Sequence, residues 1–239
     1  MIETLELSKR FGAFIAVDNI NLNIGKGEIF GFLGANGAGK TTTIRMLCGL
    51  LRPSSGQARV NGFDCARQSD LVKRHIGYMS QKFSFYDDLR VRENIEFYAT
   101  IYHVWSWQKA SGTEELLSTL GLHDYLEYLT RDIPMGYKQR LGLFCALVHN
   151  PPVLFLDEPT SGVDPRARRE FWEVINRLAE NGKTVIVSTH YMDEAEYCHR
   201  IILMREGKEA AMGTPAELKQ TFGVQNMQEL FVSLGEASR

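Results

Sequence analysis

Residues 34–42 have the types and spacing of a phosphate-binding loop. Gly34, Gly39, Lys40 and Thr41 fit the pattern G-x-x-x-x-G-K-[ST], between the apolar run EIFGFL and a helix-like run. Glycines let backbone N–H groups converge on phosphate oxygens, the lysine bridges the terminal phosphates, and the threonine hydroxyl can bind Mg²⁺. This agreement disfavours a glycine-rich turn without function. The sequence predicts a nucleotide site formed by Gly34, Ala35, Asn36, Gly37, Ala38, Gly39, Lys40, Thr41 and Thr42.

Two adjacent acidic residues follow an apolar run in VLFLDEPTSGVDP. Asp157, at the end of the predicted strand, suits a hydrogen bond to the Mg²⁺ shell, and Glu158 faces the other way and can poise an attacking water. A structural alternative is that both acids cap the next helix. The phosphate-binding loop upstream favours the chemical interpretation.

A histidine closes a third apolar run, TVIVSTH. His190 lies at the C-terminal end of this run, where phosphates are expected. A lone histidine is nevertheless more often a core or surface residue than a catalytic one. Position alone therefore leaves its role open.

The stretch IPMGYKQR, residues 133–140, precedes the apolar run LGLFCALV. It is either an ordinary helix start or half of an active site that closes only against another molecule. These residues alone do not distinguish the two.

The elements that must position these residues have distinct hydrophobic patterns. EIFGFLG, PVLFLD and KTVIVSTH are nearly continuous apolar runs, which is typical of a covered parallel sheet whose ligands collect at the C-terminal strand ends. NINLNI alternates strictly and predicts a half-buried antiparallel strand, with TLEL as a candidate partner. Asp164 as N-cap and Pro165 at the first helical position predict a helix that ends at Asn181-Gly182. Residues 82–150 show helical spacing and no parallel-strand runs.

The bulk composition limits the function classes. The chain has 239 residues, enough for one large α/β domain, and a formal net charge of −2, which gives no general attraction to nucleic acid or anionic membrane. The four cysteines form no C-x-x-C pair, so neither a zinc site nor a disulfide framework is expected, and a reducing cytoplasm fits best. No apolar run is long enough to span a bilayer and no signal-peptide pattern is evident. Work at a membrane would require another protein to hold the chain there.

Taken together, these motifs resemble the nucleotide-binding domain of ABC transporters, from about Ile2 to Leu218. GANGAGKTT matches the Walker A motif, VLFLDE matches Walker B, SGVD matches the D-loop, and STH contains the switch histidine. Gln81 in IGYMSQ matches the Q-loop glutamine. Phe11 in KRFG stands where the family places an aromatic ring that stacks on adenine, and a buried strand residue remains the alternative for it.

The resemblance implies an α/β fold: a P-loop NTPase with a RecA-like parallel sheet core, an antiparallel β-subdomain and an ABC-type helical subdomain. It implies a single ATP-binding domain over residues 1–239. Residues 1–81 and 151–218 would form the catalytic core lobe, and residues 82–150 the helical subdomain with the signature motif. Residues 219–239 would be a C-terminal tail or linker.

The resemblance also implies the ligands ATP and Mg²⁺ and an ATPase activity. Phe11 would stack on adenine, and Thr41, Gln81 and Asp157 would share Mg²⁺. Glu158 would orient and deprotonate water, His190 would sense or stabilise the γ-phosphate, and Gln81 would complete the catalytic set.

The signature motif departs from the family pattern Leu-Ser-Gly-Gly-Gln. This chain has Pro134, Met135, Gly136 and Tyr137 there, and only the second glycine is kept. Pro134 lacks both the serine hydroxyl and a backbone N–H, and Met135 adds a side chain where a glycine allows close approach to phosphate. Gly136 and the N-terminal end of a helix starting near Tyr137 could still supply N–H groups and the helix dipole. We expect the signature, together with Ser161, Gly162 and Asp164 of the D-loop, to face the nucleotide of a partner domain.

Two hypotheses about that partner remain open. The chain pairs with itself despite two weakened signatures, or it pairs with a heteromeric or tandem half that has an intact one. The tandem drug-efflux ATPases with a variant signature are the most similar branch, which would make this chain one half of a longer protein.

A transmembrane permease is the other expected partner, contacted through a groove at Phe83, Phe85 and Tyr86; the alternative is that these rings are subdomain core. The location would be the cytoplasmic face of the inner (plasma) membrane, peripheral through the permease, with substrate choice made in the membrane subunit. A non-transport ATPase acting on ribosomes or DNA, and a nucleotide-binding regulator, are the rival classes. No nucleic acid is expected, because the charge balance is near neutral.

Overall fold

The computed structural model describes residues 1–82, 84–110 and 112–236, so Phe83 lies outside the described residues. The strands are β1 (Ile2–Phe11), β2 (Phe14–Ile24), β3 (Ile29–Leu33), β4 (Ser55–Val60), β5 (Phe63–Asp64), β6 (Ile76–Met79), β7 (Val153–Asp157), β8 (Thr184–Thr189), β9 (Arg200–Arg205) and β10 (Lys208–Gly213). The helices are α1 (Lys40–Leu47), α2 (Ser69–Arg74), α3 (Val91–Ile101), α4 (Thr113–Leu120), α5 (Met135–Leu147), α6 (Pro165–Glu180), α7 (Pro215–Phe222) and α8 (Met227–Glu236).

A mainly parallel sheet with the strand order β10-β9-β3-β8-β7-β6 forms the centre of the fold. β3 pairs in parallel with β8 and β9, and β7 pairs in parallel with β8 and β6, whereas β10 is antiparallel to β9. Every residue of β3, β7 and β8 is buried, because both faces of this sheet are covered. The α/β prediction from the continuous apolar runs is confirmed, and the three strands end side by side.

An antiparallel sheet with the order β2-β1-β4-β5 lies beside it. Thr4 pairs with Leu22 and Leu7 pairs with Ile20, so the two segments expected to pair do so. Ile20, Leu22 and Ile24 are buried, and the residues between them are exposed. Their alternation marks one covered face, as predicted.

The core has two hydrophobic clusters, which share the central sheet between them. Phe30 and Phe32 of β3 belong to the cluster that also contains apolar residues of β1, β2 and α1. Ile29 and Leu33 belong to the other cluster, together with residues of the helical segment and of α6. Successive side chains of a strand point to opposite faces, so β3 anchors both layers and holds the start of the glycine-rich loop in place.

Helices occupy most of the segment from 82 to 150, as its spacing predicted. α3 and α4 both pack against α5, and among the described residues of this segment the only β pairing is an isolated bridge between Arg90 and Leu129. The subdomain boundaries themselves stay a prediction.

The C-terminal segment differs from the expected tail or linker over residues 219–239. α7 runs across the expected boundary, and Met227 and Leu230 of α8 are buried in the cluster that covers one face of the central sheet. Met227, Leu230, Phe231 and Leu234 recur at helical spacing, and this apolar stripe is what brings α8 onto the core. The described part of the segment, to residue 236, therefore belongs to the folded body.

Within the described residues, no helix combines the length and the apolar character required to cross a bilayer.

Candidate active site

The glycine-rich loop joins the end of β3 to the start of α1, as its motif requires. Gly34 and Gly39 have φ values of 148° and 104°, a region that side chains rarely adopt. A Cβ on Gly34 would lie 2.4 Å from the carbonyl oxygen of Met204, and one on Gly39 would lie 2.6 Å from that of Ala16. Both positions therefore require glycine for conformation and for space, and the loop is held close to its neighbouring backbone.

Lys40 lies inside this loop rather than in solvent. Its side chain is 4% exposed, and Nζ donates to the carbonyl oxygens of Gly34 at 2.7 Å and Ala35 at 3.2 Å. Oε1 of Glu158 lies 3.7 Å from Nζ. Burial lowers the pKa of Lys40, and the charges of Glu158 and Asp157 oppose that shift. Lys40 thus places a cation between the loop and the acidic pair, where phosphate oxygens would be bound.

Asp157 accepts two hydrogen bonds on one oxygen. Thr41 Oγ1 donates to Oδ1 at 3.0 Å, and Ser188 Oγ donates to the same atom at 2.5 Å. Burial raises the pKa of Asp157, and the bonds from Ser188 and Thr41 offset part of the shift. The pairing of β7 with β8 places Asp157 opposite Ser188, so sheet register fixes this carboxylate.

The oxygens of Thr41 and Asp157 form a donor set that suits Mg²⁺. This ion prefers oxygen ligands and is commonly held by one carboxylate together with a hydroxyl and substrate phosphates. Among the described residues, no group of three or more His, Cys, Asp or Glu side chains could hold a metal by itself. The hydroxyl of Thr41 and the carboxylate of Asp157 fit an ion whose other ligands come from phosphate and water. Gln81, the third expected ligand, instead directs its amide to Glu158.

Glu158 is the point at which the predicted catalytic residues converge. Its Oε2 atom accepts from Gln81 Nε2 at 3.0 Å and lies 3.1 Å from Nδ1 of His190. The backbone of Glu158 has φ 51°, an unusual value for a side chain of this size, and its N–H donates to Ser188 Oγ at 3.0 Å. A strained backbone held by a hydrogen bond is typical of functional positions.

Phe11 and Phe14 line one side of a cleft of about 410 Å³ that also contains Lys40, Gln81 and Glu158. Phe11 is 51% exposed at the end of β1, which excludes the alternative of a buried strand residue. The Nζ atom of Lys9 lies 5.2 Å from the centre of its ring. Stacking of Phe11 on adenine stays a prediction, and the ring has the exposure and position that stacking requires.

The signature segment starts its helix earlier than expected. α5 begins at Met135 rather than near Tyr137, because Pro134 is extended at φ −58° and ψ 152° and its carbonyl oxygen accepts from the N–H groups of Tyr137 and Lys138. Met135 is 51% exposed and Gly136 lies in the first turn. The N–H of Tyr137 already has the carbonyl oxygen of Pro134 as its partner, so the N–H groups of Met135 and Gly136 are the ones that could bind an anion at this helix end.

Tyr137 is held against its own chain. Its ring lies 4.0 Å from that of Tyr125 and 5.1 Å from the guanidinium carbon of Arg140. Arg140 also donates to Glu170 of α6 at 2.6 Å. The bond from Arg140 joins α5 to α6, while Pro134 and Met135 are exposed and Gly136 is half-buried.

The D-loop lies beside the signature helix. Gln139 Nε2 of α5 donates to the carbonyl oxygen of Ser161 at 2.9 Å, and Gly162 adopts φ 76°. Asp164 caps α6 by accepting from the N–H groups of Arg166 and Ala167, both at 3.0 Å, and these bonds lower its pKa. The predicted cap of this helix is present. Contact of these residues with a partner domain stays a prediction.

Two residues in the site were missed by the motif analysis. Ser188 donates to Asp157 and accepts from the backbone N–H of Glu158. The sequence feature that could have identified it is a polar residue inside the apolar run of β8. Phe14 is a second exposed ring at the cleft. It could have been identified as an aromatic residue just beyond the turn that follows Phe11.

The sequence and the fold were compared with known proteins. The model of the family described as ABC transporter matches residues 17–161. A probable multidrug ABC transporter ATP-binding protein of Escherichia coli (strain K12), YbhF, is 51% identical over 219 residues, which are 92% of this chain and 38% of YbhF. The daunorubicin/doxorubicin resistance ATP-binding protein DrrA of Streptomyces peucetius is 40% identical over 224 residues, covering 93% of this chain and 68% of DrrA. The chain thus spans well under half of the length of YbhF.

The solved structures with a similar fold are also ATP-binding subunits or cassettes of ABC transporters. An ATP-binding subunit of an ABC transporter is 27% identical with a TM-score of 0.85, covering 98% of this chain and 99% of that one. The ATP-binding cassette MJ0796, as a dimer in a post-hydrolysis state bound to ADP and Pi, is 26% identical with a TM-score of 0.79, covering 90% of this chain and 98% of that one.

Proposed function

Because the chain belongs to the ABC transporter family, we propose that it is an ATP-binding and ATP-hydrolysing domain that works in pairs and drives export through a separate membrane permease. The observation that carries this proposal is the convergence of Lys40, Gln81 and His190 on Glu158 beside the glycine-rich loop. A structural ion cluster would not need a strained glutamate backbone facing an open cleft.

The residues of the cleft have different roles in hydrolysis. The loop N–H groups and Lys40 bind the phosphates, and Phe11 binds the base. Glu158 orients a water molecule and accepts its proton, while Gln81 and His190 hold this carboxylate in place by their contacts with Oε2. Mg²⁺, held by Thr41 and Asp157 and expected to involve Gln81, would neutralise phosphate charge.

The pairing surface consists of the outward N-terminus of α5 and the D-loop. We expect a partner's γ-phosphate to approach Met135 and Gly136, and Gln139 of the same helix donates to the carbonyl oxygen of Ser161, which supports this arrangement. In the variant signature, Pro134 contributes no N–H and Met135 adds an exposed side chain. The chain therefore offers its partner a weakened contact, while its own Lys40, Gln81, Glu158 and His190 form a site that a partner's signature segment would complete.

Because the signature segment is altered and the nucleotide site is not, the pair can take two forms. Either two copies of this chain close on each other with weakened signatures, or a heteromeric or tandem half with an intact signature closes on this one. The matched segment makes up 38% of YbhF, which leaves room in that protein for a second domain of this size. That proportion favours the tandem form.

The permease contact is proposed at the rings after Gln81. Tyr86 is 52% exposed and lies edge-to-face with Phe97, at 5.0 Å between ring centres. Phe85 instead packs against the core beside Tyr98, so it supports the surface rather than forming it. Tyr86 and Phe97 therefore form the exposed aromatic part of the groove, and Phe83 lies outside the described residues.

The relatives named above act in drug resistance or are described as probable multidrug transporters, which supports efflux as the direction of transport. The proposed location is the cytoplasmic face of the inner membrane, through the permease. A role on ribosomes or DNA stays the rival class, and the near-neutral charge balance of the chain weighs against it.

The test is Mg²⁺-dependent ATP hydrolysis by the isolated chain, measured while protein concentration is varied. A rate per molecule that rises with concentration supports self-pairing. A rate near zero at every concentration, with ATP still bound, supports a partner half with an intact signature. Absence of ATP binding contradicts the proposed function.

A further inference from the structure

A buried charged cluster connects the chain just after Glu158 with the chain just after His190. Thr160 Oγ1 donates to Oε1 of Glu194 at 2.6 Å, and both side chains are almost fully buried. The Nε atom of Arg168, in the first turns of α6, lies 3.6 Å from the same carboxylate oxygen. One carboxylate thus joins the D-loop segment, α6 and the segment that follows β8.

Arg168 also reaches the switch histidine through one aromatic ring. Its guanidinium carbon lies 3.9 Å from the ring centre of Tyr191, within the range of a cation–π contact. The ring of Tyr191 lies 4.2 Å from that of His190 at an interplanar angle of 36°. Tyr191 is therefore in contact with the guanidinium of Arg168 and with the imidazole that touches Glu158.

The energetics make Arg168 necessary to this arrangement. The Glu194 side chain is 0% exposed and its Oε2 atom has no hydrogen-bond partner, so Arg168 supplies its compensating charge. A second contact, from Nη1 of Arg168 to Oδ2 of Asp193 at 3.6 Å, involves a 73% exposed carboxylate that water screens. The ion pair with Glu194 therefore holds the guanidinium by charge, without a hydrogen bond from Nε of Arg168, and the guanidinium in turn lies against the ring of Tyr191.

We propose that Arg168 is a positioning residue for ATP hydrolysis, which holds Tyr191 against His190 and links this pair through Glu194 to Thr160, the residue directly before the D-loop. The inference rests on the proposed function, because His190 matters only where Glu158 activates water. Its consequence is that a displacement of the D-loop by a partner domain is transmitted to the switch histidine of the same chain.

The first test observes the contact without requiring turnover. The chain has six histidines, so its imidazole proton NMR spectrum is small and the His190 signal can be assigned by its loss in His190→Ala. The ring of Tyr191 shifts that signal while the two rings stay in contact. Arg168→Met should move the His190 signal toward the value of a solvated histidine.

The matched control is Arg169→Met. Arg169 is the next residue of α6, is exposed, and has no ion pair or ring contact within the part of the chain that the structure describes. Its substitution should leave the His190 signal in place. Equal behaviour of the two variants would overturn the proposal.

The second test measures hydrolysis in the chain, or in its complex with a partner half where the isolated chain is inactive. Arg168→Met should lower kcat between about 10- and 100-fold, because a catalytic group is displaced, with the Kd for ATP changed less than about twofold. An equal loss of ATP binding and turnover would point to general misfolding and contradict a positioning role.

A pair of variants at Tyr191 keeps the proposal testable if Arg168→Met fails to fold. Tyr191→Phe keeps the ring and should keep both the His190 signal and kcat, whereas Tyr191→Leu should lose both. Neither variant disturbs the charge of Glu194. Wild-type protein that binds no ATP would contradict the proposed function alone, and the His190 signal would still decide whether Arg168 positions the ring.

Discussion

The Nδ1 atom of His190 lies 3.1 Å from Oε2 of Glu158, across 32 positions of the chain. The two residues come directly after β7 and β8, which are adjacent parallel strands. Their contact is therefore a consequence of strand order. It gives the histidine a partner that its position in the sequence could not supply.

Glu158→Gln should abolish turnover while preserving ATP binding. The amide keeps the size of the side chain but cannot take a proton from water, so we expect kcat to fall by at least about 100-fold. ATP hydrolysis and the binding of a fluorescent ATP analogue would be measured in parallel. Glu173→Gln, at an exposed position of α6, is the control and should behave as wild type. Turnover near the wild-type rate in Glu158→Gln would remove Glu158 from its assigned role.

Gly136→Ala should separate folding from pairing. A Cβ at this position would meet only the Cβ of Ala167, at an ordinary 3.8 Å, and alanine favours a helix by up to about 1 kcal/mol over glycine. The free energy of unfolding in urea should therefore stay the same or rise. If a partner's phosphate approaches the first turn of α5, as we propose, the added methyl group lies beside its path, so hydrolysis by the pair should fall.

The same variant has a clear contrary outcome. If Gly136→Ala unfolds normally and the pair hydrolyses ATP at the wild-type rate, then the N-terminus of α5 does not contact a partner's phosphate. The segment IPMGYKQR would then be a helix start and nothing more.

Much of the fold was predictable because buried strands carry a strong pattern. β3, β7 and β8 are covered on both faces, and their apolar runs are continuous for that reason. The phosphate-binding loop was predictable because Gly34 and Gly39 are each required by backbone contacts that no other residue would allow. Here the local sequence and the tertiary structure impose the same constraint.

The parts that were not predictable depend on contacts between distant segments. The apolar stripe of α8 was missed, since only a partner surface shows that Met227 and Leu230 are buried. The start of α5 was placed two residues late, since no side chain caps this helix and its start is marked only by the first helical bonds to the carbonyl oxygen of Pro134. The role of Ser188 required the register between β7 and β8.

Tyr86→Glu should weaken recruitment to membranes that contain the permease before it weakens ATP binding. Tyr86 is exposed beside Phe97, so a charge there disturbs a surface and leaves the core intact. Co-sedimentation with such membranes and ATP binding would be compared. Phe222→Glu, at an exposed position of α7, is the matched control. Parallel loss of both properties in Tyr86→Glu would mean that the ring belongs to the core.

His149 should make folding stability depend on pH in mildly acidic solution. Burial lowers the pKa of His149 from 6.5 to about 4, although its bond with the carbonyl oxygen of Ile76 opposes that shift. The ring stacks on Tyr102 at 3.8 Å and leaves Nδ1 without a hydrogen-bond partner. A second proton would therefore charge a ring that packing keeps neutral.

The sign follows from the two pKa values. Between pH 6.5 and about 4 the unfolded chain binds a proton at His149 that the folded chain does not, so the free energy of unfolding falls as pH falls through this window. The stability from the neutral ring is fully present above pH 6.5. Urea unfolding at about pH 7.5 and about pH 5 should show a loss of about 2 kcal/mol in wild type that is absent in His149→Gln. His103→Asn, at an exposed left-handed position that asparagine tolerates, should keep the wild-type loss, and an unchanged pH dependence in His149→Gln would show that another group causes it.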